Sequence, residues 1–268
     1  MREPLRLMCI AAHPDDETLG AGGTLAKYSR EGVETYVVTA TRGEAGRHGA
    51  SQERPSAEVI GRARESEERA AAEILGVRDV WFLGCRDGEV DQADSGVVTR
   101  DMAALIRHVR PQVLVTLPPY GSDGHPAPVA VSQLATAAVL RAADATCCPA
   151  SGPPHVTAKL YFMVWTRAMW DAYQGGFRLP RFKVDGVQRT PAPWPDWAVT
   201  TVLDTSEVWR IVWDAVQCHR SQLSGLEGIA RLREADHRQL WGVQRYYRAL
   251  SLVNGGRVCE RDLFEGLR

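Results

Sequence analysis

Two short stretches concentrate the side chains that could do chemistry. The first, "CIAAHPDDETLGAGG" (residues 9–23), ends an apolar run in His13, Pro14 and three consecutive carboxylates, Asp15, Asp16 and Glu17. Imidazole paired with carboxylate is a common zinc ligand set, and a loop at a strand end can aim His13 and Asp16 at one point. Asp15 is then left to take a proton from an activated water, the division of labour that a metal-assisted hydrolase needs. The second stretch, "GSDGHPAPVAVS" (residues 121–132), carries another imidazole, His125.

Two other readings of the first stretch stay open. Asp15 and Asp16 could simply cap a helix starting near Thr18, since short acidic loops favour helix N-termini. Gly20, Gly22 and Gly23 could belong to a dinucleotide-binding loop. Against that, they begin eight residues beyond the apolar run, miss the G-x-G-x-x-G spacing and follow carboxylates where a pyrophosphate would sit.

The elements that must hold these residues read as alternating strands and helices. "LRLMCIAA" (5–12) predicts a strand, "LAKYSREG" (25–32) a helix and "VETYVVTAT" (33–41) the next strand, a β-α-β opening that requires a parallel sheet. A charged helix at 56–76, a strand at 79–84, a helix around 99–110 and a strand at 112–118 continue the pattern. The fold class expected is α/β: an open, mainly parallel, Rossmann-like sheet with helices on both faces, whose ligands lie beyond the carboxyl ends of the strands. After Cys148 prolines and tryptophans interrupt regular structure. A strand is expected at 197–204 and helices at 206–223 and 237–253, so that 149–268 forms an irregular and helical extension of a core at 1–148, within one domain.

Composition narrows the function. Thirty-two basic residues against 33 acidic ones leave a net charge of −1, which gives no reason to expect nucleic acid or a membrane surface as partner. No apolar run approaches the ~20 residues of a membrane span, and the start lacks a secretory pattern, so a cytoplasmic protein is expected. The six cysteines (9, 85, 147, 148, 218 and 259) have neither zinc-ribbon spacing nor disulfide-scaffold density and read as reduced thiols.

With "AAHPDDETLGAGGTLA" on the page, the chain resembles the LmbE-like, or PIG-L, family of zinc-dependent N-deacetylases. "TRGEAGRHG" (41–49), "RARESEERAAAEILGV" (62–77), "LGCRDGEV" (83–90), "CHRSQ" (218–222) and the closing "DLFEGLR" (262–268) extend the resemblance in order along nearly the whole chain. It implies that His13 and Asp16 bind zinc and that Asp15 is the general base. It also implies that His125 stabilises the oxyanion or protonates the leaving amine, and that Arg42, Asp87 and His219 lie near the substrate. The substrate implied is a small N-acylated amino sugar or glycoside; a homo-oligomer is left open.

One departure from the family pattern bears on the metal. The family's Gly-His-Pro-Asp-His motif, whose last His is the third zinc ligand, here reads Gly124-His125-Pro126-Ala127-Pro128. Proline has no side-chain donor, so zinc is expected to be weakly held or absent unless His125, Asp123, His48 or His219 fills the place. Two function classes follow: an N-deacylase, or a family member with a degenerate zinc site that binds, regulates or catalyses a non-hydrolytic reaction in the same pocket. A nicotinamide-dependent oxidoreductase is a third.

Overall fold

The computed structural model describes residues 3–46, 54–121, 124–176, 182–184, 186–189, 192–222, 228, 231–256 and 258–268. His48 and Asp123, two candidates for the missing ligand, lie outside the described residues. The first half alternates as expected: β1 (Arg6–Ala11), α1 (Asp16–Arg30), β2 (Glu34–Thr41), α2 (Ala57–Leu75), β3 (Asp79–Cys85), α3 (Ser95–Val109), β4 (Val113–Thr116) and α4 (Pro126–Ala143). Local chemistry sets several boundaries. Ser56 accepts the Val59 amide as N-cap of α2, and Gly76, at φ 75°, closes that helix in the left-handed conformation glycine tolerates.

The second half supplies β5 (Lys159–Met163), α5 (Arg167–Gly176), the hairpin strands β6 (Phe182–Val184) and β7 (Val187–Arg189), β8 (Thr201–Asp204), α6 (Trp209–Val216), α7 (Glu234–Trp241) and β9 (Val243–Ser251). The main sheet has seven strands in the order β3-β2-β1-β4-β5-β9-β8, parallel from β3 to β5 and antiparallel beyond. Leu7 to Ala11 of the central β1 are fully buried, as a strand covered on both faces requires.

The C-terminal part therefore completes the sheet, which corrects the expectation of an irregular and helical extension. The helix expected at 237–253 is two elements. Gly242 ends α7, and in β9 burial of Gln244 and Tyr246 alternates with partial exposure of their neighbours, the period of a strand. The strand at 159–163 and the long α4 were absent from the expectation, while the helix expected at 206–223 is confined to α6.

The strand order reverses at β1, which has β2 on one side and β4 on the other. A crevice opens at such a point beyond the carboxyl ends of the strands. His13 follows β1 there and His125 follows β4.

Candidate active site

Chain geometry at the tip of β1 excludes side-chain capping of α1 by Asp15. Asp15 is the N-cap of α1 by position, but it adopts φ 110°, ψ −25° and makes no capping bond with its side chain. Asp16 turns its carboxylate backward, Oδ2 accepting the amides of Ala12 and His13 at 3.2 and 2.9 Å. Neither side chain is spent on the helix that follows. The dinucleotide reading fails for a related reason: Gly20, Gly22 and Gly23 all lie inside α1. A Cβ at Gly23 would stand 2.8 Å from Thr205, so this glycine permits close packing rather than phosphate binding.

His13 sits between two carboxylates. Its Nδ1 is 3.5 Å from Asp16 Oδ2 and its Nε2 is 3.1 Å from Asp87 Oδ1. Burial alone would lower the His13 pKa, but the two carboxylates outweigh it and push it up to about 10. His13 in turn holds Asp16 and Asp87 below their ordinary range despite their burial. Zn–N and Zn–O bonds of about 2.1 Å at a tetrahedral angle place the two donor atoms about 3.4 Å apart. The Nδ1 to Oδ2 separation thus suits two corners of a zinc site. Asp87 on the far nitrogen is the carboxylate–histidine arrangement that orients metal-bound imidazoles.

His125 occupies the N-cap position of α4, followed by Pro126 in the first turn, where a missing N–H costs nothing. Its ring is 5.8 Å from that of His13, edge to face. Pro128 lies in the same first turn, near Gly121. Among the described residues no three His, Cys, Asp or Glu side chains are grouped so that they could hold a metal ion; His13 and Asp16 have the spacing of a donor pair.

Asp15 lies beside this pair in an apolar and acidic setting. Burial pushes its carboxyl up to about 6, against the pull of Arg64. Behind it, Glu17 is driven by burial up to about 7, and Glu68 is raised by burial and by Glu17.

The residues expected near the substrate separate. Asp87 is nearly buried and tied inward, accepting the Ala45 amide at 2.9 Å and the His13 ring. Arg42 is at the rim, its side chain 53% exposed and paired with Glu65 at 2.8 Å. His219 is buried against the first turn of α1, Nε2 3.2 Å from Thr18 Oγ1 and 3.7 Å from Glu17. Burial and Arg64 lower its pKa to about 3, so it stays neutral. His155, away from this cluster in sequence, is buried, its Nε2 2.8 Å from the Pro111 carbonyl oxygen.

Sequence reasoning placed no role on Arg64 or Glu44. The Arg64 guanidinium is 5% exposed and donates to the Pro14 and Gly43 carbonyls, with Asp15 Oδ2 at 3.3 Å. It fastens the left-handed turn at Asp15 to the loop after β2. Gly43 (φ 64°) lies where any Cβ would collide with that guanidinium, which explains a glycine in "TRGEAG". Glu44 accepts the Asp87 amide at 2.9 Å. Glu67, one helical turn from Arg64, accepts both the amide and hydroxyl of Ser221 at 2.7 Å, so Arg64 and Glu67 of α2 together join the site loop to the "CHRSQ" segment.

The chain is similar to known proteins in sequence and in fold. Residues 8–139 match the family model described as PIG-L, GlcNAc-PI de-N-acetylase. A 1D-myo-inositol 2-acetamido-2-deoxy-alpha-D-glucopyranoside deacetylase of Rhodococcus jostii (strain RHA1) is 35% identical, over 98% of this chain and 98% of that one. Among solved structures, the conserved protein TT1542 of Thermus thermophilus is 28% identical, with a TM-score of 0.66 over 94% of this chain and 97% of its own. GalB, the 4-carboxy-2-hydroxymuconate hydratase of Pseudomonas putida KT2440, shares the fold at 20% identity, TM-score 0.68, over 94% and 99% of the two chains. The end-to-end match with the Rhodococcus deacetylase, together with a mainly parallel sheet bearing His13, Asp15 and Asp16 at its reversal point, makes this chain a member of the PIG-L family of de-N-acetylases.

Proposed function

We propose that this protein hydrolyses the amide of a small N-acylated amino sugar or glycosylated metabolite, releasing a carboxylate and a free amine, in thiol or specialised metabolism. The observation that carries the reading is the 3.5 Å span from His13 Nδ1 to Asp16 Oδ2, sized for a shared zinc ion, with the Asp15 carboxyl adjoining it. Members of the family are typically zinc-dependent, and His13 and Asp16 are the residues that would hold the ion here. When bound, zinc supplies a Lewis acid that makes its water acidic and polarises a carbonyl.

The chain's own residues do the rest. Asp15, poised at about 6 by burial, is a carboxylate at neutral pH and basic enough to accept the proton of the attacking water. Arg64 holds the backbone that presents it. Asp87 keeps the His13 ring turned toward Asp16. His125, on the opposite wall of the crevice, donates toward the oxyanion and then toward the departing nitrogen. Arg42 offers an exposed guanidinium at the rim to hydroxyl or anionic groups of the substrate.

Pro128 favours a second reading: a family member whose incomplete ligand set binds or regulates, or promotes a non-hydrolytic reaction in the same crevice. Metal content of the purified protein, measured beside amine release from an N-acetylglucosaminyl inositol and related N-acyl sugars, separates the two. Zinc-supported release that vanishes in Asp15→Asn supports hydrolysis. Absence of both uptake and release with zinc added in excess supports the second reading. Pro128→His is the informative restoration, because Pro128 is partly exposed in the first turn of α4 whereas Ala127 is buried, and a carboxylate placed at 127 would pay for desolvation.

A further inference from the structure

Two of the six cysteines are consecutive, Cys147 and Cys148, in the turn after α4. They lie beyond the end of that helix opposite to His125, about 27 Å away along an 18-residue helix, so nothing in the hydrolytic site employs them. Their Sγ atoms are 2.9 Å apart, less than about 1 Å from the ~2.05 Å of a disulfide bond. The backbone is held to bring them together. Cys148 adopts φ 49°, ψ 47°, a left-handed conformation that a non-glycine residue rarely takes. Buried Arg107 grips the turn, donating to the carbonyls of Ala142, Asp144 and Cys148.

Both thiols are reachable, being only partly buried. Ala150 and Ser151, just beyond, line an open groove of about 580 Å³ together with Phe82, Leu105 and His108. We propose that Cys147 and Cys148 are a thiol–disulfide exchange site that takes a small-molecule disulfide and closes reversibly into a vicinal disulfide.

Cys147 attacks first. The Cys148 sulfhydryl is directed at the Arg100 carbonyl, 3.7 Å away, and desolvation and the contact with Cys147 push its pKa up. The Cys147 thiolate displaces one thiolate from the small disulfide, forming a mixed disulfide. Cys148 then attacks the Cys147 sulfur, the intramolecular S–S bond forms and the second small thiolate leaves. The two protons given up by the cysteines end on the two released thiols; the cysteines are oxidised and the small disulfide is reduced. Adjacent Cα atoms are ~3.8 Å apart across a trans peptide, short of the ~4.4–6.8 Å usual for disulfides. The product is therefore strained and easily reduced, a switchable bond rather than a structural one.

Trypsin releases residues 142–159 as one peptide holding both cysteines and no other. The full chain is incubated with glutathione disulfide, alkylated, digested and weighed. Expected is a peptide lighter by about 2 Da and protected from alkylation, about two equivalents of glutathione released per peptide oxidised, and full reversal by dithiothreitol. Cys148→Ser should stop at one stable glutathione adduct on Cys147. Full alkylation of both cysteines at glutathione disulfide levels that modify the exposed Cys259, or stable adducts on both in the wild-type chain, overturns the proposal. The wild-type peptide alone decides it, whether or not the variant folds.

Discussion

At Asp15 the backbone and the carboxyl carry separate loads. The positive φ of a non-glycine residue is a cost of about 1–3 kcal/mol, and at this turn the carboxyl makes no capping bond to α1 and lies 3.3 Å from Arg64. Asp15→Asn keeps the shape and removes the proposed base, so kcat for amine release should fall by about 10²–10⁴ with thermal stability nearly unchanged. A fall under tenfold would remove Asp15 from the proton transfer. As a base it works deprotonated; with its pKa raised to about 6, kcat/KM should climb with pH through about 6 and then level off.

His13 gives the opposite slope for stability. Its pKa rises from 6.5 unfolded to about 10 folded, so between those values the folded chain holds a proton that the unfolded chain has lost. Its contribution is complete below about 6.5 and disappears as pH rises through about 10. Urea midpoints of the metal-free protein should decline over that window, less steeply in His13→Gln. Zinc must displace the same proton, so its affinity should rise with pH across this range.

Among elements, the loop after β2 and helix α2 act as a brace behind the site. Gly43→Ala would force the Arg64 guanidinium aside and strain a left-handed residue, so it should destabilise by about 1–3 kcal/mol and also lower activity. Denaturant melts read beside kcat separate it from a surface change, which would move neither. The residues proposed as zinc ligands and base, His13, Asp16 and Asp15, stand out in the sequence because a His and two Asp beside an apolar run are conspicuous by type. Arg64 was not: an arginine in a charged helix looks solvated, and only tertiary contact reveals that its fork is spent on Pro14 and Gly43. The pairing of Asp87 with His13 was not legible either, because residue order gives the loop and not the direction of a side chain. The strand β9 was hidden for another reason. "VQRYYRALS" contains good helix formers, and its period of two emerges only when it is pinned between β5 and β8.

The molecule as a whole is closed by its last residues. Glu260, buried, takes Lys159 and Arg248 as ion pairs at 2.8 Å and accepts from Tyr161, Thr201 and Asn254. The final segment then returns to α1, where Tyr28 donates to Asp262 and accepts the Leu263 amide. Burial alone would raise the Glu260 pKa, but its cationic and hydroxyl partners hold it down at about 2. That stabilisation is full above the unfolded value near 4.5 and lost as pH falls through about 2. Glu260→Ala strands the buried Lys159 ammonium and should cost about 3–5 kcal/mol, read as a lower urea midpoint; a loss under about 1 kcal/mol would deny the network its structural part. Among the described residues no helix is long and apolar enough to cross a membrane.

The decisive measurement is the initial rate of amine release from an N-acetylglucosaminyl inositol, followed as zinc is titrated into metal-free protein. With zinc held by His13 and Asp16, the rate should climb and saturate with zinc in the wild-type chain, stay at background in His13→Ala, and reach half-saturation at lower zinc in Pro128→His. A flat background rate in the wild-type chain at every zinc concentration, with Pro128→His equally inert, would contradict it.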